Sequence, residues 1–351
     1  MTMSIGLMMF PVLMIFIFIG FPVAFSLMGV AVLFGYLRFG DLLVHQLVAK
    51  VDDVASYYVL SAVPLFIFMG CMLEKSGISE KLFEAMQLIT RKLPGGLAVA
   101  TIILCVFFAA ASGVVGAAES VVGLMVITVM LRHGYNKGLI SGTICAGGSL
   151  GTIIPPSVVV VILSPIAGVG VGNLFVGIMI PGLILAALYI FYILIRCTIW
   201  PTDGPSDHTE TKSTSLIQDV WIIITALVPL LTLIFSVLGS IMLGWATPTE
   251  AGAMGALGTI FLTVLYGTFK CSFLNEAFIK TLRITSMIVT ILLGGMMFAS
   301  IFVALGGLSV VRNFFEVSNL TVWPTILIFM LITFIAGFVL EFISIMIIVV
   351  P

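Results

Sequence analysis

Charge is what this sequence has least of. Only 8% of its 351 residues are Asp, Glu, Lys or Arg, and from Gly138 to Ile195 there are none at all. A soluble domain cannot cover itself with so few charges, so the chain belongs in a bilayer, as its 61% hydrophobic content and mean hydropathy of +1.33 also require. The apolar residues come in unbroken blocks, not in short alternating segments, which excludes a transmembrane barrel. No basic stripe exists, which excludes nucleic acid as a partner. Cysteine is equally sparse: Cys71, Cys105, Cys145, Cys197 and Cys271 stand singly, with no C-x-x-C and no Cys/His cluster. Neither a disulfide framework nor a structural metal site is supported, and the thiols read as small apolar fillers. The apolar N-terminus lacks a basic region and a cleavage site, so it reads as a first membrane segment, not a removed signal.

What remains is an all-α polytopic membrane protein. Apolar segments run over 4–20, 21–37, 61–77, 94–110, 117–131, 138–165, 169–199, 218–245, 247–267, 284–306 and 321–351. One polar stretch, "PTDGPSDHTETKSTSLI" at 201–217, divides the chain into residues 1–200 and 218–351. The two parts echo each other. Pro22 with Met28-Gly29 recurs as Pro248 with Met254-Gly255. "SGVVGAAES" (112–120) recurs as "AGFVLEFIS" (336–344), pairing Gly113 with Gly337 and Ser120 with Ser344. The offsets, 226 and then 224 positions, are nearly constant, which points to an internal duplication of the kind found in secondary transporters.

The few charges supply an orientation. Arg91-Lys92 precede the block at 93–131, and Arg132, His133 and Lys137 follow it, so both of its ends face the cytoplasm by the positive-inside rule. Its arms, 94–110 and 117–131, are each about 22–26 Å long as helices, short of a hydrocarbon core of ~30 Å. The block therefore reads as a re-entrant hairpin with its tip at "ASGVVGA" (111–117). Two short full crossings are the alternative. Carried along the chain, this orientation puts the N-terminus in the periplasm, the linker in the cytoplasm, and eleven of the fourteen Lys/Arg inside. The second repeat is then inverted, and its own hairpin, 321–351, enters from the opposite side with its tip at 336–341. Residues 41–58, 78–93 and 272–284 show apolar residues at helical spacing on polar stretches. They are expected to lie at the membrane surface or against another membrane subunit.

Three places could carry chemistry. "GGSLGTIIPPS" (147–157) puts two prolines and several glycines inside an apolar block. Broken backbone at membrane depth is tolerated only where protein buries it or where it lines a cavity. A break there frees carbonyls that suit a small cation and exposes a half-helix N-terminus that suits an anion. Gly151, Thr152, Pro155, Pro156 and Ser157 are the candidates, against the alternative of a simple proline kink. Ser112, Gly113 and Gly116 at the first tip offer a hydroxyl and open backbone, or simply let helices pack closely. Gly337 and Glu341 mark the second tip. Glu341 is an acid in apolar surroundings, as is Glu119, and an ionisable residue there is a functional candidate by default. Glu250 is set aside: Thr247, Pro248 and Glu250 read as a helix start with a capping box. His45, His133 and His208 fall in polar stretches and read as solvated.

Several of these stretches resemble the large membrane subunit of tripartite ATP-independent periplasmic (TRAP) transporters. The match is carried by "AVPLFIFMGCMLEKSGI" (62–78), "FFAAASGVVGAAES" (107–120), "HGYNKGLISGTICAGGSLGTIIPPS" (133–157), "GNLFVGIMIPGLIL" (172–185), "ATPTEAGAMGA" (246–256) and "GFVLEFISIMIIVVP" (337–351). The resemblance implies an elevator-type, inverted-repeat fold like that of the ion transporter superfamily, with re-entrant hairpins and interrupted helices. It implies a Na⁺-driven importer with no other cofactor, working with a small membrane subunit and a periplasmic substrate-binding protein that delivers a small organic anion. The location implied is the bacterial inner membrane. The family's sites at hairpin tips and interrupted helices carry onto Ser112-Gly113, Gly151 to Ser157, and Gly337 to Glu341. Two departures matter. The family's first tip is often Ser-Gly-Ser, whereas Val114 stands third here. The family also continues past the second hairpin to another broken helix with Thr-Pro-Pro, so the chain is expected to be C-terminally truncated, its second repeat incomplete.

A stand-alone ion-coupled carboxylate carrier of the same build is the competing reading within transport, and a channel suits inverted repeats less well. A membrane-embedded enzyme would need a metal cluster or a nucleophile and base at one depth; no H-E-x-x-H is present, and G-x-S-x-G is likewise read as absent. The orientation is testable directly. A single cysteine at position 208, in a background without the five native cysteines, is expected to resist an impermeant thiol reagent added from the periplasm, while one at position 50 reacts. Labelling of position 208 from that side would reverse the whole topology.

Overall fold

The computed structural model describes residues 3–113, 115–205, 216–317, 321–338, 340 and 342–349. All regular elements among them are helical. In chain order they are α1 (Met3–Ile19), α2 (Val23–Phe39), α3 (Leu42–Ser56), α4 (Ala62–Lys75), α5 (Ile78–Thr90), α6 (Gly96–Ser112), α7 (Val115–Arg132), α8 (Lys137–Ile153), α9 (Val158–Ala167) and α10 (Val171–Ile199). They continue as α11 (Leu216–Ile234), α12 (Ser240–Met242), α13 (Pro248–Leu265), α14 (Cys271–Ala304), α15 (Gly307–Val317), α16 (Val322–Ala336) and α17 (Phe342–Val349). Among the described residues five segments are long and apolar enough to cross a bilayer, and a sixth is the α8–α9 pair, bent by 41° at its break. The chain is thus a multi-pass helical membrane protein.

The helices gather into two compact units. One holds residues 1–58 and 284–351, the other 59–283. In the first, Met9 and Leu13 of α1 pack with Leu27 and Val30 of α2 and with Phe298 and Ile301 of α14. Phe10 sets its ring edge-on against Phe298 and Phe302, at 5.5 and 5.3 Å between centroids. Glycines let backbones meet. A Cβ on Gly6 would lie 3.2 Å from the Cα of Gly307, and one on Gly294 would lie 2.7 Å from the carbonyl of Ala24.

The second unit is built around α6, whose Ile102, Leu104, Cys105 and Phe108 are all buried. Helices α5, α7, α8, α10 and α11 surround it. Helix α13 packs along α4, with Gly255 seated on Met69 and Gly252 on Leu65. The start of α14 is tied to the end of α4 by two ion pairs, Lys280–Glu74 at 2.5 Å and Lys75–Glu276 at 3.0 Å.

Two expectations about amphipathic stretches are corrected. Residues 78–93 do form a helix, α5, but its apolar face does not lie on a membrane surface. Ile78, Leu82, Phe83 and Met86 are buried, and the helix packs on α6 and α11. Residues 272–284 do not form a separate surface helix. They are the first part of α14, which runs 34 residues without a break, because no Gly or Pro interrupts "CSFLNEAFIKTLRITSMIVTILL". Residues 41–58 form a helix over Leu42–Ser56, α3, whose Val44 and Val48 are exposed while Leu43 and Val54 are buried.

The start of α13 follows the sequence rule for capping. Thr247 Oγ1 accepts from the Glu250 N–H at 3.3 Å, while the Glu250 carboxylate accepts from the Thr247 N–H at 2.7 Å. Thr247→Ala is expected to destabilise the protein by about 1 kcal/mol, seen as an earlier thermal unfolding midpoint in detergent. Thr247→Ser should restore most of it.

Candidate functional site

Gly113 and the stretch 151–157 belong to one unit and meet in space. Helix α6 ends at Ser112, and Gly113 caps it in the left-handed region, φ 60°, its N–H donating to the Ala109 carbonyl at 3.1 Å. A side chain is strained in that conformation. It is also excluded sterically, since a Cβ on Gly113 would lie 2.4 Å from the carbonyl oxygen of Pro156. The Val158 N–H points back to the Gly113 carbonyl at 3.4 Å. The hairpin turn therefore sits directly on the break between α8 and α9. Gly116 lies in the first turn of α7. Ser112 is helical in its backbone, and its hydroxyl lies outside the described residues, as does all of Glu341.

Within the break, Ile154 closes α8 with an extended backbone, its N–H donating to the Leu150 carbonyl at 2.8 Å. Pro155 and Pro156 bring no donors to the gap, and both are buried. Ser157 is fully buried and stands just before α9, but it does not cap that helix. Its hydroxyl turns back across the gap and donates to the Thr152 carbonyl at 2.7 Å. The break was expected to free carbonyls, but one lone pair of the Thr152 carbonyl is taken by Ser157. Thr152 Oγ1 in turn donates to the Ser149 carbonyl at 2.8 Å. Helix α10 closes the other side, where a Cβ on Gly182 would lie 3.0 Å from Ile153 and 3.2 Å from Ile154. Gly151 is buried in the last turn of α8. The arrangement is a backbone break walled by two glycines, rich in carbonyl oxygen and poor in charge, which suits a small cation better than a catalytic step.

Gly337, the candidate on the second tip, belongs to the other unit. It ends α16 in a right-handed conformation, φ −63° and ψ −17°, unlike the left-handed Gly113. Leu340 then donates its N–H to the Ala336 carbonyl at 2.8 Å.

Sequence reasoning missed two contacts on α8. Glu119 of α7 lies across Gly148, where a Cβ would come within 1.9 Å of its Cγ, and Cys105 of α6 lies across Gly147 at 2.6 Å. Adjacent glycines in an apolar helix were the available signal. The reading of G-x-S-x-G as absent is corrected: Gly147 to Gly151 spells it. That pattern serves a nucleophile only on a sharp strand-to-helix turn. Here Ser149 lies inside α8 and donates to the Ala146 carbonyl at 2.8 Å.

A polar junction holds the hairpin base. Asp203, just past α10, accepts from Arg196 Nε and Nη2, each at 3.0 Å, and from Asn136 Nδ2 at 3.0 Å. Asn136 also caps α8 through Gly138 N, at 2.8 Å. Gly95 donates its N–H to the Gly204 carbonyl at 3.2 Å.

Comparison with known proteins follows the same lines. The family model described as "Tripartite ATP-independent periplasmic transporter, DctM component" matches residues 10–351. A C4-dicarboxylate TRAP transporter large permease protein from Pseudomonas aeruginosa is 29% identical over 311 residues, 88% of this chain and 71% of that one. An isethionate TRAP transporter permease protein, DctMQ, from Oleidesulfovibrio alaskensis is 28% identical over 82% of this chain and 44% of its own. A sialic acid TRAP transporter large permease protein from Vibrio cholerae is 28% identical over 79% of this chain and 64% of its own. With residues 10–351 matched by one family model, the chain belongs to the DctM component of the tripartite ATP-independent periplasmic transporters.

Proposed function

We propose that this chain is the translocating subunit of a Na⁺-driven secondary importer of a small organic anion, in the bacterial inner membrane. It works beside a small membrane subunit and receives its substrate from a periplasmic binding protein. The observation that carries the reading is the seat of Gly113 on the Pro156 carbonyl. It concentrates backbone oxygens and two helix ends at one buried place, and such an environment supports cation binding without a formal charge. The relatives' names, C4-dicarboxylate, isethionate and sialic acid, are all of anions, which supports an anionic substrate without selecting one. Residues Ser112, Gly113, Gly116, Gly151, Thr152, Pro155, Pro156 and Ser157 form the first half of the proposed site, and Gly337 and Glu341 contribute to the second. The constant offset between the repeats, and the way helices α2 and α13 start 225 positions apart (Val23 and Pro248), supports an inverted-repeat elevator.

Reconstitution of the full-length protein tests this. Uptake into proteoliposomes is expected only when the small subunit, the binding protein with its ligand, and an inward Na⁺ gradient are all present. Uptake of free substrate by this chain alone would favour a stand-alone carrier.

Two substitutions test the site. Gly113→Ala places a methyl against a backbone oxygen that cannot swing away, and adds about 1–2 kcal/mol of left-handed strain. It is expected to lower Na⁺-driven uptake at least tenfold at unchanged membrane abundance, while Gly177→Ala, in open space, leaves it near normal. Replacing both Pro155 and Pro156 by Ala restores two backbone donors and favours a continuous helix. It is expected to abolish Na⁺-driven uptake while insertion persists. Near-normal uptake by that double variant would mean that the break does not serve transport.

A further inference from the structure

We propose that an anionic phospholipid docks in a crevice between α6, α8 and α10, with its phosphate at Arg196 and an acyl chain between the helices. The crevice has a volume of about 300 Å³, far above the ~10–15 Å³ that one water needs. Ile102 of α6, Gly142 and Thr143 of α8, and Tyr189 and Ile193 of α10 line its apolar length, and Arg196 stands at one end. A second hollow of about 510 Å³ adjoins it, sharing Tyr192 and Arg196 and reaching Trp200 and Asp203. One long apolar channel with a cationic, aromatic mouth has the shape and polarity of an amphiphile, and does not match a small polar solute.

The polar groups are placed for such a ligand. Arg196 carries five N–H donors. Three are used, two on Asp203 and one on the Tyr192 hydroxyl at 2.8 Å. The remaining two, on a fixed planar fork, match two phosphate oxygens. Asp203 offsets the charge of Arg196, and Lys137, next in sequence to the lining residue Gly138, is exposed. Trp200 and Tyr192, both more than half exposed, suit the headgroup level of a bilayer. Basic pockets between membrane helices with an aromatic rim are a recurrent way of holding acidic lipids.

An independent observation lies deeper in. Thr143 is 4% exposed, and its hydroxyl is buried without a hydrogen-bond partner. A buried hydroxyl left unpaired is costly, by roughly 1–3 kcal/mol. The Asn136–Asp203 bond puts Arg196 at the N-terminal end of α8. Thr143 is five residues farther along from Gly138, so about 7 Å deeper. A lipid whose phosphate sits at Arg196 brings its ester oxygens toward that depth, where they accept the Thr143 hydroxyl. The lipid-facing side of α10, with Leu188 and Phe191 exposed, gives an acyl chain lateral access from the bilayer.

Gly142 allows a clean test. A Cβ there meets nothing within 4 Å, and Gly142 lines the crevice, so the added side chain of Gly142→Leu takes up crevice volume. The full-length protein, purified in mild detergent with its small subunit and washed free of bulk lipid, is expected to retain about one phosphatidylglycerol or cardiolipin per chain by mass spectrometry. Gly142→Leu should cut that retention at least tenfold with an unchanged unfolding midpoint. Arg196→Gln should lose the preference for anionic over zwitterionic lipid. In delipidated protein, a short-chain phosphatidylglycerol should raise the unfolding midpoint, and inorganic phosphate should not. Equal lipid retention by wild type and Gly142→Leu overturns the proposal. So do absence of retained lipid in the wild type, as when a neighbouring chain fills the crevice, and equal stabilisation by inorganic phosphate, which would make Arg196 a phosphate site only.

Discussion

Everything at the centre of this protein depends on one constraint: inside a bilayer, a backbone polar group that leaves a helix must find its partner in the protein. Between Ile153 and Val158 the helix is gone, and the structure answers from four directions. Ser157 reaches back to the Thr152 carbonyl, Ile154 keeps its bond to Leu150, Val158 turns to Gly113, and α10 closes over Ile153 and Ile154 at Gly182. Glycines stand wherever another backbone must come close, because a methyl at Gly113 or Gly182 would hold the walls apart. The break is therefore a built feature whose cost is offset by its surroundings. It also lies within the stretch from Gly138 to Ile195 that carries no charged residue.

The same constraint explains the polar junction at the hairpin base. Where α6 and α8 begin and α10 ends, their unsatisfied N–H and C=O groups need partners. Asp203 and Asn136 supply them by joining Arg196, the start of α8 and the Gly95–Gly204 contact into one cluster. Cys197, buried beside it, leaves room at Gly95 and Gly204 only for hydrogen. The hairpin is thus held at both ends, by hydrogen bonds at its base and by close backbone contact at its tip.

The helices were legible because apolar blocks, prolines and glycines punctuate this chain plainly; α2, α4, α6, α10 and α13 fall within a few residues of their expected positions. The Thr247–Glu250 cap was legible too, since it is a local pattern. What was not legible is which face of each helix turns inward. In water, burial writes a polar and an apolar stripe on a helix, but in lipid both faces are apolar. On α10, Phe175 is fully buried while Phe191 is 61% exposed, and nothing in their types tells them apart. For the same reason α5 was misplaced: its amphipathic pattern suits a surface helix and equally a helix with a buried face. Of the site, the residues in the break and the tip could be named, but their meeting could not, because Gly113 and Pro156 are separated by two helices.

The recurrence in the chain reaches beyond letters. The ends of α2 and α13, Phe39 and Leu265, lie 226 positions apart, and the starts of α6 and α16, Gly96 and Val322, lie 226 apart as well. The two compact units divide after Tyr58 and after Arg283, at almost the same offset. A duplicated chain would produce this, because a copied segment keeps the length of each element even after most side chains have changed. The two parts differ where constraint differs. After α3 the chain turns through Tyr57 to Ser61 before α4 begins, whereas the corresponding stretch is the interior of the unbroken α14. A helix needs a specific reason to stop, such as a cap, a proline or a glycine, and 271–304 offers only Gly294 and Gly295, well past that point. The helical backbone is therefore interrupted between α3 and α4 but continuous through the corresponding part of α14.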